Sequence, residues 1–295
     1  MLATDFLQYI SRKIDTRPVE LKNMVSQESQ HLRNQETKPP TGKVSVVIPT
    51  RDKPELLEKC VKSVMELTKY PEIEILIVNN QSVEPATLAL FESFKAKGVN
   101  VLNYPKAFNF SAMCNLAASQ ATGDYLCFLN NDTEVVDPNW LSNMVEHASQ
   151  PEVGVVGAIL TYPNGKIQHI GVALNFGGVA THPYRGSQKA SNVPDSCFQV
   201  SAVTFACALI SSAKFALLGG LDEKFPSGFN DVDFGIRSAE QNLTNVVCTK
   251  AHLIHAESLS RPRSSTLSGI VSGLRDVFQF LKKHKNLTPE RFFSR

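Results

Sequence analysis

The sequence has almost no net charge and no long apolar run. Lys and Arg number 30 against 28 Asp and Glu, which gives a formal net charge of +2. This balance argues against a protein that wraps nucleic acid through a strongly basic surface. The most apolar window, residues 200–218, is interrupted by serine, threonine and lysine, and the N-terminus lacks a basic segment before an apolar one. We therefore expect neither a membrane-spanning helix nor a secretory signal.

The chain also lacks paired-cysteine motifs. None of its 6 cysteines belongs to a C-x-x-C pair, and several stand within apolar runs. A thiol in such a run behaves as a small hydrophobic group. We predict reduced, structural cysteines and a cytoplasmic protein.

Motifs of phosphate loops and nucleophilic hydrolases are missing as well. The chain contains no G-x-x-x-x-G-K-[ST] and no G-x-S-x-G, and it has no G-x-G-x-x-G in a suitable place. The pair Gly177-Gly178 does not form a phosphate-loop signature. These absences weaken the interpretation of the chain as a P-loop, hydrolase or dinucleotide-binding protein.

Short β-branched runs alternate with amphipathic segments from residue 44 onward. Residues 44–48, stopped by Pro49, are typical of a buried parallel strand, and the segment from Pro54 carries one apolar stripe typical of a helix. The alternation predicts a mostly parallel, doubly wound α/β sheet that binds ligands beyond the carboxyl ends of its strands. Further strands are predicted at residues 74–78, 99–102, 125–129 and 153–160, and further helices at residues 88–94, at 112–121 and from Asp137.

The two ends and the second half of the chain are less regular. We predict one strand over residues 200–210, a helix before Gly219-Gly220, a helix from Asp231 to about Gln241 and an amphipathic helix at residues 267–283. Residues 1–40 are predicted to be a helical extension followed by a polar linker. The predicted organisation is therefore an extension at residues 1–40, one main domain at 41–263 with halves 41–136 and 137–263, and a terminal helix at 264–295.

The first candidate site is Asn130-Asn131-Asp132, at the exit of the strand predicted at residues 125–129. If the backbone stays extended, Asn130 and Asp132 project to the same side. An amide and a carboxylate suffice for Mg²⁺ or Mn²⁺ when a substrate diphosphate completes the shell. The ordinary alternative is a turn or a helix cap, because Asn and Asp are favoured there.

The second candidate site is Asn230-Asp231-Val232-Asp233. Asn230 can cap a helix that Asp231 begins, and acidic residues in a first turn are stabilised by the helix dipole. Asp231 and Asp233 lie roughly 200° apart around a helix, so they cannot form one bidentate site. A carboxylate here can instead accept the proton of an attacking hydroxyl.

Histidines form the third group of candidates. In the segment His252 to Glu257, strand alternation puts Ile254 and His255 on opposite faces, and a neutral imidazole can complete a metal shell. A histidine is more often structural, and chemistry alone does not choose between His252 and His255. His169 and His182 are equally ambiguous.

Taken in order, these segments resemble family 2 glycosyltransferases of the GT-A fold, especially bacterial members that build O-antigen and capsule and are often labelled rhamnosyltransferases. The resemblance covers residues 44–261. It rests on seven stretches in register: Val46 to Asp52, Ile77 to Ser82, Phe108 to Ser111, Phe128 to Thr133, Gln168 to Gly171, Asn230 to Asp233, and His255 to Ser258.

The resemblance implies roles for individual residues. Asp132 looks like the metal ligand of the family's D-x-D motif, and His255 looks like the histidine that closes the metal site. Asp231 corresponds to the family's catalytic base. Asn230, Asp233 and His182 would orient the acceptor, with Asp233 alternatively orienting its helix. The resemblance implies a nucleotide-sugar pocket formed by Pro49, Thr50, Asp52, Asn79, Asn80, Asn109, Asn115, Asn130 and Asn131.

Two positions depart from the family pattern. Asn79 stands where the family usually has Asp, and Asn130 replaces the first Asp of D-x-D, which lowers the negative charge of the site. The resemblance implies a Mn²⁺- or Mg²⁺-dependent, inverting transfer from a UDP- or dTDP-sugar to a hydroxyl of a glycan or lipid-linked glycan. The alternatives are a non-catalytic nucleotide-sugar or glycan-binding module of the same fold and a sugar nucleotidyltransferase.

Membrane contact depends on the basic end of the terminal helix. Lys282, Lys283 and Lys285 could touch anionic lipid and give a peripheral association with the inner face of the membrane. The ordinary alternative is a solvated run of charges. Nucleic acid is not an expected partner.

Overall fold

A computed structural model describes residues 41–174, 180–188, 197–256 and 267–284. The predicted extension at residues 1–40, the pair Gly177-Gly178 and Lys285 lie outside these residues. The elements of the first half are β1 (Val44–Thr50), α1 (Pro54–Leu67), β2 (Ile73–Asn79), α2 (Pro85–Lys95), β3 (Asn100–Asn103), α3 (Phe110–Gln120), β4 (Tyr125–Leu129), β5 (Thr133–Val135) and α4 (Trp140–Ala148). Those of the second half are β6 (Val153–Thr161), β7 (Ile167–His169), β8 (Ala173–Leu174), β9 (Ala180–Thr181), β10 (Phe198–Val200), β11 (Cys207–Ser211), α5 (Ser212–Leu217), α6 (Asn230–Glu240), β12 (Thr244–His255) and α7 (Leu267–Lys283).

One central sheet runs in the order β10-β12-β6-β11-β4-β1-β2-β3, with β5 paired to β12 and β7 paired to β6. The strands β3, β2, β1 and β4 are mutually parallel, as the alternation of strands and helices predicts. In the other half, β11 runs antiparallel between β4 and β6, while β12 runs parallel to β6. The sheet is therefore parallel in its first half and mixed in its second.

The sheet is buried on both faces, which explains why β1 is apolar at almost every position. Val46 and Ile48 contribute to one apolar layer with α1, α2 and α4, and Val47 contributes to the layer on the opposite face with α3. Strands of a sheet covered on both sides show continuous rather than alternating apolar residues. The two layers hold the carboxyl ends of β1 and β4 side by side.

The single strand predicted at residues 200–210 is wrong. β10 pairs with β12 at the edge of the sheet, and β11 pairs with β4 and β6 in its centre. Residues 201–206 carry the chain between these positions and are mostly buried. Because this connection is buried, its residues are as apolar as those of a strand. Local hydrophobicity therefore could not separate β10 from β11.

Helix α6 begins one residue earlier than the pattern suggests. Asn230 is its first residue rather than its cap, and Phe229 precedes it in the left-handed conformation with φ 61°. The Asn230 side chain accepts a hydrogen bond from its neighbour's backbone, Asp231 N, at 2.8 Å. The helix thus starts directly after a sharp change of direction.

The terminal helix α7 has the bounds that its apolar stripe predicts, and it is held to α6 by buried charges. Asp233 is fully buried and lies 2.9 Å from Arg237, 2.6 Å from Lys283 and 2.9 Å from His284. Burial alone would raise the pKa of Asp233, but the hydrogen bonds from His284 and Lys283 and the charge of Arg237 outweigh it and lower that pKa. These contacts join Asp233 to both helices, and its predicted role in orienting the acceptor or the helix stays a prediction.

The same pairs change the interpretation of the basic helix end. Lys283 also binds Asp222 at 2.7 Å, so one of the three lysines expected to meet lipid is engaged within the fold. Among the described residues, no helix combines the length and apolarity needed to cross a bilayer.

We expect Asp233→Asn to destabilise the protein by about 3 kcal/mol, the lower end of the range for a broken buried ion pair, because Lys283 still reaches solvent. The pKa of Asp233 is lowered in the folded state, so its stabilisation is complete above the ordinary value of 3.8 and is lost as pH falls through the lower folded value. Urea unfolding at neutral pH measures the change. The control Asp222→Asn removes a more exposed partner of Lys283, and an equal loss in both variants would contradict this assignment.

Candidate active site

A cleft of about 340 Å³ opens beyond the carboxyl end of β4. This is the edge where open α/β sheets bind ligands, and the volume suits part of a nucleotide-sized ligand. Histidine, carboxylate and amide side chains from distant parts of the chain line it, together with apolar groups. The lining residues that carry the argument below are Asn130, Asp132, Gln168, His169, His182, Arg185, Thr204, Asn230, Asp231 and His255.

Asp132 and His255 meet at the centre of this cleft. Oδ1 of Asp132 lies 3.0 Å from Nε2 of His255, and Nδ2 of Asn130 lies 3.3 Å from the same nitrogen. β12 pairs with β5, the strand that follows the Asn130 turn, and this pairing brings the two segments together. Residues 130–132 form a turn and not an extended backbone, and Thr133 N donates to Asn130 O at 3.2 Å. The turn nevertheless brings Asn130 and Asp132 to the same place.

The Asp132 and His255 pair fits a divalent cation. Two neighbouring ligands of an octahedral ion, each about 2.1 Å from it, lie about 3.0 Å apart. This is the separation between Oδ1 and Nε2, and both side chains are buried, with 6% and 5% of their residue surfaces exposed. A carboxylate oxygen and an imidazole nitrogen are suitable ligands for Mn²⁺ or Mg²⁺. The spacing of the two ligand atoms is therefore compatible with joint binding of one cation.

Gln168 holds the His255 ring in place. Its amide lies 2.8 to 3.0 Å from Nδ1 of His255, on the far side of the ring from Asp132. When Nδ1 donates its proton to the amide oxygen, Nε2 is left with the lone pair that a cation needs. Gln168 comes from β7, which pairs with β6. The sequence marked Gln168 only as part of a family stretch and assigned it no role.

His169 and His182 form a second pair of rings at the cleft wall. Nε2 of His169 accepts hydrogen bonds from Gly171 N at 3.1 Å and Thr204 N at 3.3 Å. Burial, with the nearby His182 and His255, lowers the pKa of His169 well below its ordinary value. The neutral ring therefore carries its proton on Nδ1, which lies 3.1 Å from Nδ1 of His182. Nδ1 of His182 then accepts this hydrogen bond, so a neutral His182 carries its proton on Nε2.

Asp231 lines the same cleft from the first turn of α6. It is half-buried, and its Oδ1 accepts a hydrogen bond from Val232 N at 2.8 Å. Asn230 lines the cleft beside it, whereas Asp233 points to α7 instead of the cleft. The left-handed Phe229 precedes the helix and packs against Phe280 of α7, 4.8 Å between ring centres. Asp231 and Asp233 thus lie on different sides of α6, as their helical spacing predicts.

Among the residues predicted to bind the nucleotide, those after β1 and β4 support one another. Asn131 donates to the Thr50 hydroxyl at 2.8 Å, and both are buried. Pro49 pairs with Val78 of β2. The pairing of β1 with β4 ends earlier, at Val47. Asp52 accepts hydrogen bonds from the backbone of Val83 and Glu84, ahead of α2. These residues shape the sheet edge next to the cleft and do not line it.

Two further predicted residues, Asn79 and Asn80, hold the connection after β3. Asn80 is fully buried and donates to the carbonyls of Tyr104 and Lys106 at 3.2 and 2.9 Å. Asn79 accepts a hydrogen bond from Ser82 and donates to Asn103. Neither amide lines the cleft, and their role in base or ribose binding stays a prediction.

Asn109 and Asn115 connect α3 to the loop before α6. Asn109 caps α3 by accepting from Ala112 N at 3.1 Å, and it donates to Glu223 O at 2.8 Å. Asn115 exchanges two hydrogen bonds with the backbone of Leu221, both at 2.9 Å. These contacts position the loop that leads to Asp231, so the two residues support the cleft from outside it.

Besides Gln168, the polar residues Arg185 and Thr204 line the cleft without a role predicted from the sequence. Arg185 brings a cation to the wall, with its Nε donating to the Tyr162 hydroxyl at 3.0 Å, and Thr204 reaches the cleft from the connection between β10 and β11. Both follow irregular backbone, where no periodic pattern shows the direction of a side chain. The only available signal was the position of Arg185 shortly after His182.

Solved structures share this architecture. The crystal structure of GalNAc-T7 with UDP, GalNAc and Mn²⁺ superposes with a TM-score of 0.67 at 14% identity, covering 96% of this chain and 57% of that one. The mannosyltransferase PcManGT from Pyrobaculum calidifontis, in complex with GDP-Man and Mn²⁺, gives a TM-score of 0.61 at 15% identity, covering 90% and 72%. The likeness defines the class of the protein, an α/β domain with the GT-A fold.

Sequence comparison then identifies the family. The model of glycosyl transferase family 2 matches residues 45–213, and the chain belongs to that family. The O-antigen biosynthesis protein RfbC of Myxococcus xanthus is 42% identical over 227 residues, which cover 75% of this chain and 18% of RfbC. An N-acetylglucosaminyl-diphospho-decaprenol L-rhamnosyltransferase of Mycobacterium tuberculosis is 23% identical over 236 residues, covering 72% of this chain and 76% of that protein. The chain thus spans about a fifth of the length of RfbC.

Proposed function

We propose that this family 2 glycosyltransferase moves one sugar, a hexose in class, from a UDP- or dTDP-sugar to a hydroxyl of a glycan or lipid-linked glycan, with inversion at the anomeric carbon. The observation that carries the proposal is the convergence of Asp132, His255 and Asp231 on one cleft. RfbC and the mycobacterial rhamnosyltransferase suggest O-antigen or a similar surface glycan as the product class. The reaction would take place in the cytoplasm, with peripheral membrane contact where the acceptor is lipid-linked.

Asp132 and His255 would hold Mn²⁺ or Mg²⁺, with Gln168 keeping the imidazole lone pair directed at the cation. When bound, the metal supplies Lewis-acid stabilisation of the charge that develops on the leaving diphosphate. Asn130 adds an amide beside this pair, and Arg185 adds a positive charge at the wall. Charged groups in a water-poor cleft stabilise developing charge better than they do in bulk water.

Asp231 would take the proton of the acceptor hydroxyl as that oxygen attacks the anomeric carbon. The bond to the diphosphate oxygen breaks while the new glycosidic bond forms on the opposite face, which inverts the configuration. His182 and Asn230 would orient the acceptor, because both line the cleft. A single displacement needs no covalent intermediate, so Asp231 acts as a base and not as a nucleophile.

A thermal-shift screen of nucleotide sugars with Mn²⁺ tests the donor. We expect the cognate donor to raise Tm, because a ligand that binds only the folded state stabilises it by RT ln(1 + [L]/Kd), about 2.7 kcal/mol at 100 times Kd. The shift should need Mn²⁺ and should be lost with the sugar phosphate alone. Transfer to an acceptor panel and slow donor hydrolysis are then measured with the best donor. Binding without either reaction would indicate a non-catalytic module, and pyrophosphate release from a nucleoside triphosphate and a sugar phosphate would indicate a nucleotidyltransferase.

A further inference from the structure

Two cysteines and a histidine converge at the edge of the sheet, outside the cleft. β10 pairs antiparallel with β12, with Phe198 opposite Val247, so the next pair outward in this register is Cys197 and Cys248. His147 stands in the last turn of α4, which packs against β12. One ligand atom from each of these three side chains lies within 4.8 Å of the other two. None of the three lines the cleft.

The chemistry of these three side chains favours a soft metal. Cys197 and Cys248 are buried, with 6% and 0% of their surfaces exposed, whereas His147 is half-buried and reaches the surface. Nδ1 of His147 is buried and has no hydrogen-bond partner among the described residues. A bound divalent cation would favour release of both thiol protons, because thiolates are the ligand forms of cysteine.

We propose that His147, Cys197 and Cys248 bind a thiophilic divalent metal ion of the Zn²⁺ class. Two thiolates and a neutral imidazole neutralise a divalent cation and supply three of the four ligands of a tetrahedral site, and the exposed side of His147 leaves the fourth position to water. Two thiolates on tetrahedral Zn²⁺ lie about 3.8 Å apart, so a ligand set within 4.8 Å closes by at most about 1 Å of side-chain rotation.

This second site differs from the cleft in both ligands and location. The cleft pairs an oxygen with a nitrogen and suits Mg²⁺ or Mn²⁺, whereas sulfur ligands select Zn²⁺ and similar ions. Cys248 and His255 lie on the same strand β12, seven residues apart, which is roughly 20 Å along a strand. A metal here would bridge α4, β10 and β12, and it would fix the edge strand that leads into the Thr204 wall of the cleft.

Titration of the reduced, metal-free 295-residue chain with Co²⁺ tests the proposal. We expect one equivalent to produce the thiolate-to-Co²⁺ charge-transfer band in the near ultraviolet and the intense visible bands of a tetrahedral site, both of which Zn²⁺ abolishes. Cys197→Ser and Cys248→Ser should lose the charge-transfer band. His147→Ala should weaken Co²⁺ binding by about tenfold or more. Cys114→Ser, which removes a buried thiol on α3, is the matched control and should keep the bands.

Asp132→Ala separates this site from the cleft, because it should leave the sulfur charge-transfer band unchanged. Protection from alkylation tests the site in the wild-type protein. Zn²⁺ should slow the modification of Cys197 and Cys248 by N-ethylmaleimide, and peptide mass spectrometry identifies the modified cysteines. Absence of the charge-transfer band in the reduced wild-type protein would overturn the proposal. So would an unchanged band in Cys197→Ser, or Zn²⁺-independent alkylation of both cysteines.

Discussion

Asp231→Asn is expected to lower the rate of sugar transfer by roughly 10²–10⁴-fold, the usual contribution of a general base. The amide keeps the size of the carboxylate but cannot take a proton from the acceptor hydroxyl. The contacts that would hold the donor come from Asp132, His255 and the sheet edge, so the affinity for the nucleotide sugar should stay nearly constant. Steady-state kinetics with a saturating donor measure the first quantity, and calorimetry measures the second.

Glu240→Gln is the control for this substitution, because it removes an exposed carboxylate from the other end of α6. It should change neither transfer nor binding. If Asp231→Asn turns over at the wild-type rate, another group is the base. An equal loss of donor binding and transfer would instead make Asp231 a binding residue.

Asp132→Ala is expected to abolish metal-dependent donor binding. The variant removes the only charged oxygen that faces Nε2 of His255 at 3.0 Å within the described residues, and the neighbouring Asn130 supplies only a neutral amide. Loss of a residue that only supports a metal ligand typically weakens metal binding by about 10–100-fold. Loss of the ligand Asp132 itself should weaken Mn²⁺ binding by at least as much. Isothermal titration of the donor with and without Mn²⁺ shows the difference directly.

Glu134→Gln is the matched control, since Glu134 stands two residues further along and pairs with Lys59 at 2.7 Å instead of facing the cleft. It should retain Mn²⁺-dependent binding. His255→Ala should reproduce the Asp132→Ala defect, because both residues would hold the same ion. An Mn²⁺-dependent heat of donor binding that survives Asp132→Ala would rule out this metal site.

Much of the first half of the fold follows from local sequence. The apolar run of β1, the stripe of α1 and the strand at residues 125–129 lie where periodicity predicts them, because neighbouring residues alone decide these patterns. The second half was less predictable. Residues 200–210 contain two strands and a buried connection, and their common apolar character comes from a core that surrounds all three.

The sequence by itself supplied the candidate site residues: the carboxylates Asp132 and Asp231, the imidazole of His255 and the amide of Asn130, whose proposed roles come from the family resemblance. It also determined the spacing that separates Asp231 from Asp233. Only the tertiary structure decided that β5 pairs with β12, which brings Asp132 within 3.0 Å of His255, 123 residues away. Only the tertiary structure, likewise, set Gln168 behind that imidazole and paired Asp233 with Lys283. Such contacts depend on strand order and on packing between segments far apart in the sequence. The properties of neighbouring residues alone therefore cannot predict them.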